Sequence, residues 1–279
     1  MTYKQLCQRL TTLYDDNEAR AIIRTILDEC CHLSLTDIAC GGVETLSPAQ
    51  QEQMETVMRR LEQAEPVQYV LGEAPFCGRS FHVEPGVLIP RPETEDLVMR
   101  VVEDMRSLTP AMPAPRILDA GTGSGCIATT LALELPHATV TAWDLSERAL
   151  SIAQENARRL GAGVTFERQD MLSPTDRGPF DVIVSNPPYI CERERSEMQA
   201  NVLRYEPQEA LFVPDNDPLL FYRALADYAC ASGSDVMLYF ELNPLYARQT
   251  AEMLETAGFH NTDVFPDRYG KQRFIKTER

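Results

Sequence analysis

The sequence predicts an α/β protein built on a mainly parallel sheet, with a small helical region in front of it. Three observations carry the prediction. From Arg116 onward, short apolar runs alternate with amphipathic stretches of helical period. A glycine-rich turn, Asp119-Ala120-Gly121-Thr122-Gly123-Ser124-Gly125, follows the first of those runs and opens a helix. The β-branched run Phe180-Asp181-Val182-Ile183-Val184-Ser185 then stops at Asn186-Pro187-Pro188-Tyr189, a rigid corner with an aromatic tip.

In chain order, residues 3–14 and 18–31 read as short amphipathic helices, with Leu6, Leu10 and Leu13, then Ile22, Ile23, Ile26 and Leu27, on one face. Ser47-Pro48-Ala49-Gln50 starts a third helix, with Ser as N-cap, Pro at the first helical position and Gln two residues later; it should stop before Pro66. Residues 1–65 are thus expected to form a helical bundle. Residues 66–90 are expected to hold a β-hairpin linker, from the alternation in 66–73 and 76–83 around glycine turns. The main domain is expected over 91–279, entered by a helix through Leu97, Val98, Val101, Val102 and Met105 and a proline-rich connection over 107–115. Strands are expected over 117–120, 139–144, 164–168, 180–185 and 236–240, and helices over 124–135, 146–160, 218–231 and 244–257. An antiparallel pair near 260–265 and 273–277 closes the chain.

Composition narrows the function. The 279 residues carry 26 Lys+Arg against 42 Asp+Glu, a formal charge of −16, and both the first 88 residues and the rest are acidic. Binding to a nucleic-acid backbone rests on Lys and Arg neutralising phosphates, so no direct nucleic-acid partner is expected. The 8 cysteines include no C-x-x-C pair, and no secretory signal or long apolar run is read, so a reduced cytoplasm is the expected location and no membrane contact is expected. Cys30-Cys31-His32 sits in a helical pattern without a second ligand cluster, so no metal is expected. A monomer is the expected form.

The chemistry is expected along one sheet edge. Glycines at the 121–125 turn let backbone approach a ligand closely, and the helix N-terminus supplies N–H groups. Asp144, ending the next strand, is placed to accept both hydroxyls of a ribose. Asp170, after the third strand, is placed to accept from an adenine amino group, with Met171 beside the ring. Dinucleotide enzymes and S-adenosylmethionine enzymes share these features. Asn-Pro-Pro-Tyr decides between them. An Asn side-chain oxygen and a proline carbonyl together accept both hydrogens of a planar NH2 group, which suits a transferase that methylates an amino or amide nitrogen, not a hydride-transfer enzyme.

At this point the chain resembles a known family. Pro66-Val67-Gln68-Tyr69, Leu88-Ile89-Pro90-Arg91-Pro92-Glu93-Thr94-Glu95, the glycine turn, Val184 to Ile190, and Tyr205-Glu206-Pro207 with Ala210-Leu211 are similar to the release-factor glutamine methyltransferases, the PrmC or HemK family. The resemblance implies a class I S-adenosylmethionine-dependent methyltransferase fold (Rossmann-like, mainly parallel, with an antiparallel C-terminal strand) joined through a hairpin to N-terminal helices that dock the substrate. It implies methyl transfer from S-adenosylmethionine to the amide of the Gln in the Gly-Gly-Gln motif of class-1 peptide chain release factors, in support of translation termination. Asp119, Gly121, Thr122, Gly123, Ser124, Gly125, Asp144, Asp170, Met171 and Asn186 would bind the cofactor. Asn186, Pro187, Pro188 and Tyr189 would hold the Gln, with Asn186, Pro187 and Tyr189 catalytic and Tyr189 packed against the flat amide. No His is assigned a role.

The chain departs from the family pattern at Phe212-Val213-Pro214-Asp215-Asn216-Asp217-Pro218, at Glu241-Leu242-Asn243 where Glu-Ile-Gly is common, and at Trp143. Arg91 and Glu93 either border the cofactor or form an ion pair or cap. Two enzymatic alternatives are an amino-methyltransferase acting on adenine in nucleic acid and one acting on Gln of a ribosomal protein. A non-catalytic cofactor-binding scaffold is the alternative from another class.

Overall fold

The structure, a computed structural model, describes residues 1–279 except 109, 110, 176, 177 and 234. Two of these, 109 and 110, belong to the expected 107–115 connection, which to that extent lies outside the described residues. The chain divides into two compact units, Met1–Glu73 with Gln199–Tyr205, and Ala74–Met198 with Glu206–Arg279.

The first unit is helical. Helix α1 (Tyr3–Leu10) starts at Thr2, whose hydroxyl accepts from the Gln5 amide while the Gln5 side chain accepts from the Thr2 amide. Asp15 caps α2 (Asp16–Cys31), and α3 (Leu35–Ala39) is a single short turn. The expected Ser47–Gln50 pairing opens α4 (Pro48–Leu61). Leu6, Leu10, Ile23, Ile26, Leu27, Met54, Met58 and Leu61 are fully buried together. The short helix Ala200–Tyr205 joins this unit, where the Tyr205 hydroxyl and Arg204 donate to the Gln63 carbonyl. This corrects the expected 91–279 domain, which included 199–205.

A second correction concerns the hairpin linker. Its expected first strand is instead a helix, α5 (Val67–Leu71). Gly72, at φ +77, ends the helix and returns its N–H to Gln68, and the Arg60 guanidinium donates to the carbonyls of Tyr69 and Val70. The apolar alternation there is the inner face of one helical turn held by a side chain from α4. The hairpin begins only at β1 (Glu73–Phe76) and returns in β2 (Arg79–His82). Its two-residue turn, Cys77-Gly78, has φ of +47 and +71, the pair of left-handed residues that matches the twist of a tight hairpin.

In the second unit, α6 (Pro92–Leu108) leads to β3 (Arg116–Ala120), α7 (Cys126–Glu134), β4 (Thr139–Asp144), α8 (Glu147–Leu160), β5 (Val164–Arg168) and β6 (Val182–Ser185). After the two-residue strands β7 (Ile190–Cys191) and β8 (Phe212–Val213) come α9 (Leu220–Ser232), β9 (Met237–Glu241), α10 (Ala247–Thr256), β10 (His260–Pro266) and β11 (Gln272–Glu278). The main sheet has the order β10-β11-β9-β6-β3-β4-β5. Strands β9, β6, β3, β4 and β5 run parallel, while β11 pairs antiparallel with both β9 and β10. Strand order reverses at β3. The chain steps outward to β5 and returns to β6 on the other side, opening a crevice at the carboxyl edge.

The strands' period-2 alternation feeds two cores. Ile117, Val140, Val182, Val184 and Tyr239 face α6 and α7; Leu118, Ala120, Trp143, Ile183, Leu238 and Phe240 face α9 and α10. Trp143 is fully buried in the second core, edge-on to Phe180 and Tyr228, with its indole N–H donating to Glu167. It is a core residue that places Asp144. Among the described residues no helix is long and apolar enough to cross a membrane.

Candidate active site

The glycine turn is built from beneath. Asp119, the fourth residue of β3, is wholly buried, and its Oδ2 accepts from the Thr122 hydroxyl at 2.6 Å and the Ala128 amide at 3.0 Å. Burial pushes its carboxyl up to about 7, against the pull of those two donors. The amides of Gly121 and Thr122 donate to the Trp143 carbonyl, that of Gly123 to Asp144, and that of Gly125 to Thr122. The turn therefore offers a ligand shape more than free N–H groups. Gly121 and Gly123 have φ of +78 and +55, and a Cβ at Gly123 would meet nothing within 4 Å, so this is where the backbone bares itself to the crevice.

Beside the turn lies a cavity of about 480 Å³. Gly121, Gly123, Asp144, Asp170, Met171, Asn186 and Pro188 all line it. Each Asp144 oxygen accepts one backbone amide, Oδ2 from Gly123 and Oδ1 from Ser146, both at 2.9 Å. A carboxylate has about four acceptor positions, so one per oxygen stays open for a pair of hydroxyls. Burial raises the Asp144 pKa, opposed by those amides. Asp170 turns one oxygen to the Leu172 amide at 2.9 Å.

Four expected cofactor residues lie elsewhere. Asp119, Thr122 and Ser124 are buried below the turn and Gly125 faces α8, so these shape the wall without forming it. Further wall comes from Gly86, Val87 and Leu88 before α6 and from Pro207, Glu209, Ala210 and Phe221 after the corner. The sequence signal for these is the pair of segments Leu88-Ile89-Pro90-Arg91 and Tyr205-Glu206-Pro207, of which the sequence reading places only Arg91, either bordering the cofactor or in an ion pair or cap. Arg91 does not line the cavity. It forms an ion pair at 2.6 Å with the buried Glu206, whose other oxygen accepts from the Ile89 amide.

The Asn186 corner is held from behind. Asn186 Nδ2 donates to Thr94 Oγ1 at 3.2 Å, and Thr94 donates to Glu241 Oε2 at 2.7 Å. The Tyr189 hydroxyl donates to Glu241 Oε1 at 3.0 Å, and Asn243 Nδ2 donates to the Tyr189 carbonyl at 3.1 Å. With its NH2 bonded to Thr94, Asn186 has Oδ1 as the end of its amide left for the cavity it lines. Neither Pro187 nor Tyr189 lines the cavity, and the Tyr189 ring packs on the second core. Burial and the neighbouring Glu241 carboxylate push its phenol well above the usual range. Sequence reasoning missed Thr94 and Glu241 as parts of the site.

A doubly wound sheet that ends its returning strand in a rigid hydrogen-bond acceptor, beside a cavity walled by a glycine turn and two strand-end carboxylates, is a class I S-adenosylmethionine-dependent methyltransferase. Residues 102–211 match the model of the Methyltransferase small domain, and residues 2–72 that of the PrmC N-terminal domain. The release factor glutamine methyltransferase of Bacteroides thetaiotaomicron is 44% identical, covering 98% of this chain and 97% of its own. That of Flavobacterium psychrophilum is 42% identical, with 98% and 96% covered. The chain belongs to the release factor glutamine methyltransferases. Among solved structures, a methyltransferase from Pyrococcus furiosus superposes with a TM-score of 0.50 at 18% identity, covering 72% of this chain and 89% of its own, a likeness of fold.

Proposed function

We propose that this chain transfers a methyl group from S-adenosylmethionine to the side-chain amide nitrogen of the Gln in the Gly-Gly-Gln motif of class-1 peptide chain release factors. The observation that carries the reading is the orientation of Asn186. Its NH2 is tied back to Thr94, which leaves its carbonyl oxygen as the end of the amide available to the cavity of about 480 Å³ that it lines with Asp144 and Asp170. The cavity fits the cofactor in volume and in donors and acceptors: the open positions on Asp144 suit ribose hydroxyls, and the free oxygen of Asp170 suits an amino group. Bound S-adenosylmethionine supplies an electrophilic sulfonium methyl.

The protein's part is positioning. An amide nitrogen is a weak nucleophile because its lone pair is delocalised. Asn186 Oδ1 accepts a hydrogen of the substrate amide and holds its nitrogen facing the methyl, while Pro187, outside the cavity lining, fixes the backbone of the corner. Fixing that geometry removes orientational entropy that a reaction in water has to lose. The transferred group leaves the nitrogen with one proton too many, and that proton departs after transfer, so no strong base is needed. Tyr189 supports the corner by anchoring it to Glu241.

The test is mass spectrometry of a purified class-1 release factor incubated with this protein and S-adenosylmethionine. One added methyl on the Gln of Gly-Gly-Gln is expected. With Asn186→Ala the turnover should drop by about 100-fold or more, while cofactor affinity changes by only a few fold. An unmodified Gln, or methyl on nucleic acid or a ribosomal protein instead, would refute the assigned substrate.

A further inference from the structure

The cluster behind Asn186 has a direction built into its hydrogen bonds. Glu241 ends β9 and is buried to 1% exposure; Thr94, in the first turns of α6, is buried to 2%. An ionised carboxylate accepts hydrogen bonds and donates none. The Thr94 hydroxyl has one proton, and it is spent on Glu241 Oε2 at 2.7 Å. Toward Asn186, at 3.2 Å, the Thr94 oxygen is left as an acceptor only. The end of the Asn186 amide that meets it must therefore be the NH2, and the end that faces the cavity must be the oxygen.

We propose that Glu241 is a positioning residue which, through Thr94, sets the donor–acceptor polarity of Asn186 and so makes the site accept an NH2 group. The inference rests on the reading of Asn186 as the acceptor for the substrate amide. It assigns a task to two side chains that touch neither substrate nor cofactor. The order of donors also shows how the device fails. A neutral Glu241 carrying its proton on Oε2 donates to Thr94, and the Thr94 proton turns to Asn186. The amide then rotates its oxygen inward and its NH2 outward, where it repels the NH2 it should hold.

The groups facing Glu241 come from four elements. Thr94 and Glu93 lie on α6, Tyr189 in the corner after β6, and Arg273 on β11; the Tyr222 hydroxyl on α9 donates to the Glu241 carbonyl. Burial above all, with the Glu93 charge, favours the neutral carboxyl and raises the Glu241 pKa above its ordinary value, against the pull of the two hydroxyl donors and Arg273. Turnover at saturating cofactor should accordingly fall on the acid side as Glu241 takes up a proton.

The experiment compares kcat for release-factor methylation, cofactor Kd and the pH profile of kcat in the wild type, T94V and T94S. T94V should lose about 10- to 100-fold in kcat, keep its cofactor Kd within about twofold, and lose the acid limb because Asn186 is uncoupled from Glu241. T94S should restore both kcat and the limb. A structural control is Y239F, on the same strand as Glu241, which removes a hydroxyl that donates to Asp104 on α6; it should lower thermal stability and leave kcat unchanged. A T94V variant with wild-type kcat, or one whose kcat and cofactor affinity fall together and are not rescued by T94S, overturns the inference.

A second measurement needs no substrate and no Thr94 variant. The Asn186 side-chain NH2 of 15N-labelled wild type, assigned by its loss in N186A, should exchange slowly and titrate at acid pH. A fast-exchanging, pH-invariant NH2 overturns the inference. A wild type that leaves the release-factor Gln unmethylated refutes the functional reading, and the NH2 measurement still decides the orientation of Asn186.

Discussion

Gly125 ends the glycine turn where α7 meets α8, and replacing it with alanine tests how tightly that junction is built. A Cβ there would lie 2.8 Å from Ala153 Cβ, 3.0 Å from Ala153 Cα and 3.3 Å from Ala153 O. All three belong to a helix backbone or a rigid methyl, so no side-chain rotation relieves the clash. The residue also sits at φ +80, which costs a non-glycine residue about 1–2 kcal/mol. Forcing a methyl into a packed junction adds about 1–3 kcal/mol, so Gly125→Ala should destabilise the fold by roughly 2–5 kcal/mol. Ala153→Gly removes the nearest methyl and alone costs about 1 kcal/mol as a helix-interior glycine. The double variant should recover part of the steric cost and none of the backbone cost, a favourable coupling of about 1 kcal/mol or more. Urea unfolding followed by fluorescence of Trp143, the 1 tryptophan in the chain, reads all four proteins, with an unchanged m-value expected. A G125A variant within about 0.5 kcal/mol of wild type, or strict additivity in the cycle, would refute the packing account.

Two buried carboxyls give further stability predictions. The folded pKa of Asp119 is raised to about 7 from 3.8, so its neutral form stabilises the fold fully below the lower value, and that contribution is lost as pH rises through the higher one. The slope is at most about 1.4 kcal/mol per pH unit between the two values. The stability of D119N relative to wild type should therefore rise from pH 4 to pH 8 in paired denaturation curves, and a gap that stays constant would show that Asp119 is ionised throughout. Arg91→Ala should lower stability by about 3–5 kcal/mol by leaving a buried carboxylate without its cation, since the Glu206 side chain is 1% exposed and its other oxygen accepts from the Ile89 amide. Adding E206Q should return part of the loss in thermal melts; equal melting temperatures for R91A and wild type would sink this assignment.

What the sequence made legible was whatever a strand end displays. Asp119, Asp144 and Asn186 each close an apolar run of β3, β4 or β6, and parallel strands of one sheet bring such ends to one edge. The depth of each residue below that edge was not legible, because an aspartate at the end of an apolar run looks the same in sequence whether it is covered, as Asp119 is, or lines the cavity, as Asp144 does. Thr122, Ser124 and Gly125 were assigned to the ligand for the same reason. The Val67–Leu71 helix misled because five residues are too few to separate a period of 2 from one of 3.6, and the deciding contact comes from Arg60. The link from Thr94 to Glu241 spans 147 residues and two elements. No local pattern announces a hydrogen bond between a helix start and a strand end, so only the folded chain shows it.

The strand order has a consequence for the order in which the parts of the site are synthesised. Its cavity draws wall residues from Gly86 to Phe221, and Glu241 ends a strand that follows them in the chain. During synthesis the residues that line the cavity are therefore all joined to the chain before the carboxylate that aims Asn186. Strand β9, which carries that carboxylate at its end, also pairs along β6, so the same strand that supports the Asn186 corner brings the group that orients it. The residues that shape the ligand cavity thus precede in the chain the carboxylate that aims its acceptor.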